Sequence, residues 1–297
     1  MKQRLHYILL KLFLFFGKII PKAMLYRVSR WIMTYYYRHK PKRVEIMHAN
    51  IKKAYPELTE EEISAFGKKV YEELSYTLAE LVLLYHKKLD INSLILNKEE
   101  MLHKLQALDQ QATNGTIYIM AHYGNWELLG QFMAKNGFDM LGVVKEGKNP
   151  LIEQHIARPF RTRYGNRAVG NTAAMIAISK ALKAKQRVVL AIDQVVQPPN
   201  GVPVHFFGYP TAATKAIAVL KRKYDPLIVP VFLQREAKGF RGIIGEPIET
   251  ECPQEDPDTE IICMTQHYYD IIETQIRQAP QQWLWLYNRW KEIKFAS

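Results

Sequence analysis

The chain of 297 residues is long enough for one large domain or two small ones, with a sizeable buried core. Its 48% hydrophobic and 24% charged content is ordinary for a globular protein and excludes disorder and collagen-like architecture. Residues 1–50 hold eleven Lys and Arg residues and one acid, Glu45, so they carry +10 of the net charge of +12. A basic segment on a nearly neutral body suits anionic lipid, nucleic acid or an acidic protein as its partner.

The first helical stretch, from Leu5 to Ile20, is strongly apolar but is interrupted by Lys11 and Lys18. Its uninterrupted apolar run is shorter than the roughly 20 residues that span a bilayer. The two lysines fall on one helical face, Pro21 ends the helix, and an aromatic and basic stretch follows. Trp and Tyr beside Lys and Arg suit the headgroup layer of a membrane.

These features predict that residues 1–43 form an amphipathic, basic membrane anchor that inserts shallowly on the cytoplasmic side of a membrane. The alternative is an ordinary amphipathic helix packed on the body. A signal peptide is disfavoured because lysines interrupt the apolar run and Pro21-Lys22 stands where a small-residue cleavage site is needed. Nucleic acid is a poor partner because the basic residues alternate with Leu and Phe and no nucleic-acid motif accompanies them.

The rest of the chain, residues 44–297, is expected to form one domain with a helical part (44–110) and an α/β body (111–297). Thr59 as N-cap and Glu62 three residues later form a capping-box pattern. Short β-rich runs then alternate with helical stretches, which predicts an open central sheet flanked by helices. The predicted strands are 116–121, 140–145, 187–192, 227–233 and 240–244; the predicted helices are 125–135, 150–164, 172–183, 211–224, 257–278 and 280–292.

The sequence contains no pattern for a disulfide framework, a metal or a nucleotide. Its two cysteines, Cys252 and Cys263, favour a reducing compartment without a disulfide framework and match no zinc-ligand spacing. It has no His-Glu-x-x-His, no P-loop and no Gly-x-Gly-x-x-Gly, so we expect neither a metal nor another cofactor.

A candidate site follows the first predicted strand. His122 comes directly after this strand, and Glu127 falls in the first turn of the next helix. Ligands bind at the carboxyl ends of strands in open α/β sheets. The His-x4-Glu spacing lets Glu127 fold back to accept the Nδ1 proton of His122, which leaves Nε2 as a general base, and Gly124 permits the tight turn. The alternative is a hydrogen-bonded structural histidine, because nine histidines produce such a spacing by chance.

The run AHYGNWELLG around His122 is similar to the motif of the late acyltransferases of lipid A biosynthesis, the lauroyl and myristoyl transferase family, within the wider glycerolipid acyltransferases. Further blocks resemble that family in order along nearly the whole chain: MHANIKKAYPELTEEE (47–62), VVKEGKNPLI (143–152), RTRYGNR (161–167), VVLAIDQ (188–194), VPVHFFGYPTAATKA (202–216) and QQWLWLYNRWK (281–291). Two positions depart from the family: Lys145 and Tyr209 stand where it usually or often has Arg.

The resemblance implies an O-acyltransferase that moves a fatty acyl chain from an acyl-carrier-protein thioester to a hydroxyl of a lipid A precursor. His122 would be the base and Glu127 its orienting partner. Arg163 and Lys145 are candidates to stabilise the oxyanion or grip phosphates of the acceptor, with Asp193 orienting one of these cations. The same residues would otherwise be solvated charges, or for Asp193 a turn residue.

Other acceptors and classes remain alternatives. The departures at Lys145 and Tyr209 give weight to one alternative, the same chemistry on another membrane lipid such as a phosphoglycolipid or aminolipid. A non-catalytic lipid-binding protein is the alternative of a different class. No Gly-x-Ser-x-Gly surrounds any serine, so no covalent serine intermediate is expected.

Secondary roles for three further groups also follow from the sequence. Phe206, Phe207 and Tyr209 would line an acyl channel or fill the core. Residues 211–214 are expected to begin a helix whose N-terminus binds phosphate. The basic run at 215–223 would dock the acidic carrier protein or form a solvated helix face, and the tryptophans near the C-terminus would pack the last helix.

Overall fold

The computed structural model describes residues 2–145, 147, 149–252, 256–291 and 293. Its helices, in chain order, are α1 (Lys2–Ile19), α2 (Lys22–His39), α3 (Pro41–Ala54), α4 (Glu60–Tyr85), α5 (Lys98–Gln111), α6 (Trp126–Lys135), α7 (Pro150–Ile152), α8 (Arg158–Arg161), α9 (Ala174–Lys183), α10 (Ala216–Tyr224) and α11 (Pro257–Gln278). Its strands are β1 (Thr116–Met120), β2 (Leu141–Val144), β3 (Arg167–Gly170), β4 (Arg187–Ala191), β5 (Gly201–Phe206), β6 (Tyr209–Thr214), β7 (Leu227–Glu236) and β8 (Gly239–Ile244).

Six strands form the central sheet in the order β3-β2-β4-β1-β7-β8. All neighbouring pairs are parallel except β7 and β8, which pair antiparallel at one edge. This mixed sheet with helices on both faces confirms the predicted α/β class. We call the side on which β1, β2, β4 and β7 end the carboxyl edge, and the opposite side the amino edge.

The core lies on both faces of the sheet, as the central strand β1 illustrates. Ile117 and Ile119 belong to one buried apolar cluster, and Tyr118 and Met120 to the other, as the two-residue period of a strand requires. Because both faces of β1 are covered, all five of its residues are buried, which explains its continuous apolar sequence.

The N-terminal helices pack on the body through one face each. Leu14 of α1 and Leu25 of α2 are buried against Val82 and Leu83 of α4. The side chains of Arg30 and Glu72 form an ion pair between α2 and α4. The predicted capping box of α4 is confirmed, because Thr59 Oγ1 accepts the Glu62 amide at 3.2 Å and the Glu62 carboxylate accepts the Thr59 amide at 2.9 Å.

Two element predictions are wrong. The helix expected over 211–224 is strand β6 followed by α10, because Phe207 and Gly208 both adopt positive φ and close a two-residue hairpin. The helix expected over 280–292 is a single 3₁₀ turn, Pro280–Gln282, followed by irregular chain. The helix expected over 150–164 is present from Pro150 to Arg161, with a π-helical turn, Glu153–Ala157, in its middle.

Strands β3 and β5 are absent from the sequence prediction, which had no strand at either place. The predicted anchor boundary at residue 43 lies within α3.

The cysteine expectation is also wrong in this structure. Cys252 and Cys263 are joined as a disulfide, with Cα atoms 5.9 Å apart. The second cysteine lies in the second turn of α11, and this helix brings it beside the segment that follows β8. Disulfides are rare in cytosolic proteins, so this bond does not match the reducing compartment favoured by cysteine usage.

Candidate active site

The candidate site is built on the short connection between β1 and α6, at the carboxyl edge. Gly124 within it has a φ of +58°, and a Cβ there would lie 1.8 Å from the carbonyl oxygen of Leu233. Only glycine fits this close backbone approach. Asn125 then caps α6 by accepting the Leu128 amide at 3.0 Å. His122 is therefore held between a buried strand and a capped helix.

His122 forms a direct hydrogen bond with Asp193. Its Nδ1 atom lies 2.8 Å from Oδ1 of Asp193, and its backbone amide donates to Oδ2 at 3.2 Å. Asp193 reaches this position because β4 pairs in parallel with β1, and both residues follow their strands at the carboxyl edge. The side chain of Asp193 is 3% exposed and that of His122 is 23% exposed, so the pair is anchored inside while the imidazole reaches the surface.

The hydrogen bond expected between His122 and Glu127 is thus supplied by Asp193, which corrects the assigned orienting partner. Glu127 instead accepts a hydrogen bond from Nε of Arg161 at 3.2 Å. The helix places Glu127 on the side facing α8, whereas the turn at Gly124 directs His122 towards the end of β4. The same finding corrects the role expected for Asp193, which orients an imidazole rather than a cation.

The charges around His122 increase the proton affinity of its ring. Burial lowers the pKa of His122, but the carboxylate of Asp193, with a smaller contribution from Glu127, outweighs it and leaves the pKa raised above the usual histidine value. Arg161 opposes this effect. For Asp193, burial acts to raise the pKa, but His122 and other donors outweigh it and the pKa is lowered. With Nδ1–H donating to Asp193, Nε2 is free to accept a proton.

The two predicted cations lie in different surroundings. Arg163 donates to the carbonyl oxygens of Leu84 at 2.7 Å and Tyr85 at 2.8 Å, so its guanidinium satisfies the C-terminal end of α4. This correction removes Arg163 from the group around His122. Lys145 is exposed and follows β2 at the carboxyl edge.

The cation beside the site is Arg161, which sequence reasoning missed. It bonds Glu127 and lies 3.7 Å from Glu153 of the π-helical turn. Its position near Glu127 depends on how α8 packs against α6, which no local pattern reveals. The basic block at 161–167 is the signal in the sequence. It contains Arg161 and Arg163, and only the packing of α8 against α6 shows which of them lies beside Glu127.

A buried ionic network supports the same loop from the side of α4. Glu80 accepts a hydrogen bond from Asn125 Nδ2 at 2.8 Å and pairs with Arg235 of β7. Arg235 also pairs with Glu73 at 2.9 Å. The two glutamates are seven residues apart and share one face of α4, a periodicity visible in the sequence. Losing one partner of such a buried network leaves an uncompensated charge.

The aromatic residues near the C-terminus form a packed cluster. Phe206, Phe207, Trp283, Trp285 and Trp290 are all buried and contact one another ring to ring. Their burial favours core packing over an acyl channel. Tyr209 differs from these five residues, because its side chain is exposed (37%). The phosphate-binding helix start expected at 211–214 is wrong, because these residues belong to β6.

Most of the basic run on α10 lies at the amino edge. The chain passes from Tyr224 into β7, whose first residue pairs with the first residue of β1. Lys221 and Arg222 are paired with Asp225 and Glu260. This run is therefore on the side of the sheet opposite His122 and is partly neutralised, which argues against carrier docking there.

The outer faces of α1 and α2 carry large exposed apolar side chains. Trp31 is 69% exposed. The others, all roughly half exposed or more, are Leu5, Ile8, Leu9, Leu12, Phe15, Phe16, Ile19, Met24, Tyr35 and Tyr36. Monomeric soluble proteins rarely expose an apolar surface this continuous. Among the described residues, no helix is both long enough and apolar enough to cross a bilayer.

A comparison with known families places the chain among the acyltransferases. Residues 3–292 match the family model described as bacterial lipid A biosynthesis acyltransferase, which covers nearly the whole chain. The chain belongs to this family.

A curated relative agrees with the family match. The chain is 26% identical over 278 residues to the lipid A biosynthesis lauroyltransferase of Escherichia coli (strain K12), with 92% of this chain and 87% of that protein covered. The resemblance inferred from the sequence motifs is thereby confirmed, and acyl transfer in lipid A biosynthesis is the activity that the family supports.

Proposed function

We propose that the protein transfers a fatty acyl group from an acyl-carrier-protein thioester to a hydroxyl of a lipid A precursor, with His122 as general base. The observation that carries this proposal is the His122–Asp193 pair at the carboxyl edge, in a chain of this family. Asp193 fixes the tautomer so that Nε2 faces outward as a proton acceptor.

The chemistry runs through one tetrahedral intermediate. Nε2 of His122 takes the proton of the acceptor hydroxyl as its oxygen attacks the thioester carbonyl carbon. The carbon–sulfur bond then breaks, and the leaving thiolate takes the proton back from the imidazolium. The products are the acyl ester and the free thiol of the carrier.

Charge on the intermediate needs a donor close to the imidazole. Arg161 lies within electrostatic reach of His122 and is held by Glu127. We assign Arg161 to stabilisation of the oxyanion or to an acceptor phosphate, with Glu127 positioning it. Lys145, exposed at the same edge, is the candidate for a more distant anionic group of the acceptor.

The apolar faces of α1 and α2 would rest on the bilayer that holds the lipid substrate. The basic residues of this segment suit an anionic leaflet, and its Trp and Tyr residues suit the headgroup layer. Because the donor is a carrier-protein thioester made in the cytoplasm, the proposed location is the cytoplasmic face of the inner membrane.

The activity is tested with detergent-solubilised protein, acyl-carrier-protein thioesters and a tetra-acylated lipid A precursor, read by mass spectrometry. His122→Ala should lower turnover by about 10²- to 10⁴-fold, since a general base is lost. His103→Ala, which removes an exposed histidine on α5, is the matched control and should retain activity.

Each product pattern has a definite meaning. A His122-dependent gain of one acyl chain supports both the reaction and the acceptor. His122-dependent release of free fatty acid without an acylated product supports thioester chemistry but contradicts the lipid A precursor as acceptor, which favours another membrane lipid. Equal thioester consumption by wild type and His122→Ala contradicts the assigned base.

The location is tested through the two cysteines. In cells whose thiols are trapped by acid and alkylated in denaturant, a cytoplasmic domain should yield Cys252 and Cys263 as free thiols. Recovery of the pair as the disulfide seen in the structure would contradict the cytoplasmic location. The same protein alkylated after reduction is the control.

A further inference from the structure

We propose that Trp283 is a positioning residue of the reaction: its indole N–H fixes the carboxylate of Asp193, and through it the imidazole of His122. This inference rests on the proposed role of His122 and adds a residue that contacts neither substrate nor the reacting atoms.

Two independent contacts connect Trp283 to the site. Its Nε1–H donates to Oδ2 of Asp193 at 2.8 Å. Its backbone forms an isolated antiparallel bridge with Tyr123, directly beside His122. The amide of Leu284 donates to the carbonyl oxygen of His122 at 3.0 Å. The same short segment therefore holds the histidine by its backbone and the aspartate by a side chain.

The carboxylate of Asp193 has its two oxygens assigned to different donors. Oδ1 faces Nδ1 of His122, while Oδ2 accepts the backbone amide of His122 and the indole of Trp283. An indole N–H is a donor only, so its role in this contact cannot be reversed. With Oδ2 occupied, rotation of the carboxylate would break two hydrogen bonds in a buried site, which keeps Oδ1 directed at the imidazole.

The indole itself has little freedom to move. Its ring lies 4.6 Å from the ring of Trp285 and 5.6 Å from that of Phe206, measured between centroids. Phe207 and Trp290 contact it at 6.1 Å and 6.4 Å. Such packing gives the donor a fixed direction, which is the requirement for a group that orients a catalytic base.

The other charged and titratable groups around this pair come from several elements. Glu127 and Arg161 act on His122 from α6 and α8. Arg289, Tyr269 and Tyr287 act electrostatically with Asp193 from the interior side. The hydrogen bond from Trp283 helps to lower the pKa of Asp193, so its removal should make the carboxylate a stronger partner for imidazolium.

The test compares Trp283→Phe with Trp285→Phe in the full-length protein. Both tryptophans are buried and belong to the same aromatic cluster, but the indole of Trp285 donates to the carbonyl oxygen of Pro280 rather than to the site. Both variants lose an indole N–H and ring volume, and thermal unfolding reports how far each is destabilised. Only Trp283→Phe removes a donor from Asp193.

We expect Trp283→Phe to lower kcat by roughly 10-fold, since a hydrogen bond to a charged group is lost, with a smaller change in KM. The acid limb of the pH–kcat profile of Trp283→Phe should also move to higher pH by about 0.5–1 unit. The reason is that a more basic carboxylate on Asp193 raises the pKa of His122. Trp285→Phe keeps an aromatic ring against Trp283 and the donor to Asp193, so it should lower kcat less and leave the acid limb in place. In an Asp193→Asn background, Trp283→Phe should cause no further shift of the limb.

Equal effects of the two tryptophan variants, or a full additional pH shift in the Asp193→Asn background, would overturn the positioning role. A wild-type protein without any activity that depends on His122 would instead refute the proposed function. The two failures are therefore distinguishable.

A measurement on the folded wild type covers the case in which Trp283→Phe does not fold. The indole ¹⁵N–¹H signal of Trp283 should move with the titration of His122 and stay still in the Asp193→Asn variant. The Trp285 signal should stay still in both. A Trp283 indole signal whose chemical shift stays constant while His122 titrates would contradict the proposal.

Discussion

The surroundings of His122 and the outer faces of α1 and α2 are organised in opposite ways. At His122, the partner Asp193 is almost wholly buried and accepts three hydrogen bonds from within the chain. Along α1 and α2, large apolar side chains face outward with no partner among the described residues that covers them. The first region makes its contacts within the chain, whereas the second leaves its apolar side chains exposed.

The two regions therefore contribute different things to the protein, geometry in one case and binding energy in the other. Directional bonds in a low-dielectric setting fix a base and its tautomer. Apolar area exposed to water contributes binding energy that does not depend on precise geometry. Changes in the first region should therefore alter turnover, and changes in the second should alter where the protein resides.

The largest expected effect beyond His122 itself concerns the two carboxylates that could serve it. Asp193→Asn should lower kcat by about 10²-fold or more, because the imidazole loses the acceptor that fixes its tautomer. It should also move the acid limb of activity to lower pH, since the carboxylate that raises the pKa of His122 is neutralised. The measurement is the pH dependence of kcat.

Glu127→Gln is the matched comparison. The charge of Glu127 also raises the pKa of His122, but it acts without the direct hydrogen bond, so the limb should move less. Its principal effect should be on the position of Arg161 and hence on transition-state charge. A larger shift of the limb for Glu127→Gln than for Asp193→Asn would restore Glu127 as the orienting partner.

The intermediate effect belongs to the exposed apolar faces of α1 and α2. Leu9→Glu and Leu12→Glu, on the exposed face of α1, should each weaken vesicle binding by roughly 10- to 100-fold, because a leucine that becomes buried in the bilayer contributes about 1.5–3 kcal/mol. Co-sedimentation with vesicles of zwitterionic and anionic lipid measures this, and salt should weaken binding to the anionic vesicles more.

The control for this surface is Gln106→Glu, which adds the same charge on the exposed face of α5. It should leave vesicle binding unchanged. Thermal unfolding of the α1 variants should also be nearly unchanged, because exposed positions contribute little to stability. Vesicle binding that persists in the double α1 variant would contradict the anchor and favour simple packing of α1 on the body.

The smallest expected effect tests whether local helix capping is independent of both regions. Thr59→Ala should lower the free energy of unfolding by about 1 kcal/mol, because the first turn of α4 loses its N-cap. Thr59→Ser keeps the hydroxyl and should retain most of that stability. Chemical denaturation measures both, and a matching change in kcat would show that α4 transmits its N-terminal stability to the site.

Local patterns predicted the parts of the fold that depend on neighbours in sequence. The buried run of β1, the capping box at Thr59 and the position of His122 between a strand and a helix all follow from a few adjacent residues. The hairpin of β5 and β6 does not follow from neighbouring residues. Its turn places Phe207 in a left-handed conformation, which this residue type rarely adopts and does not predict.

The sequence predicts only part of the site, because the remaining contacts join segments that are distant in the chain. Asp193 was selected as a strand-end residue, yet its contact with His122 arises from β4 lying beside β1 in the sheet, although β2 and β3 lie between them in the chain. The sequence predicts that Trp283 belongs to a closing helix over 280–292 that packs on the body or the membrane. Its bridge to Tyr123 is a pairing between distant segments, which periodicity does not report.

That bridge has a consequence for biosynthesis. His122 is translated well before residues 282–284, and the segment around it has no backbone partner on that side until they arrive. The helices α1 and α2 are translated earlier still, and folding during synthesis proceeds from the N-terminus. The apolar faces of α1 and α2 therefore emerge before the backbone contacts that hold His122 can form, so the candidate site is assembled only after these faces have been exposed.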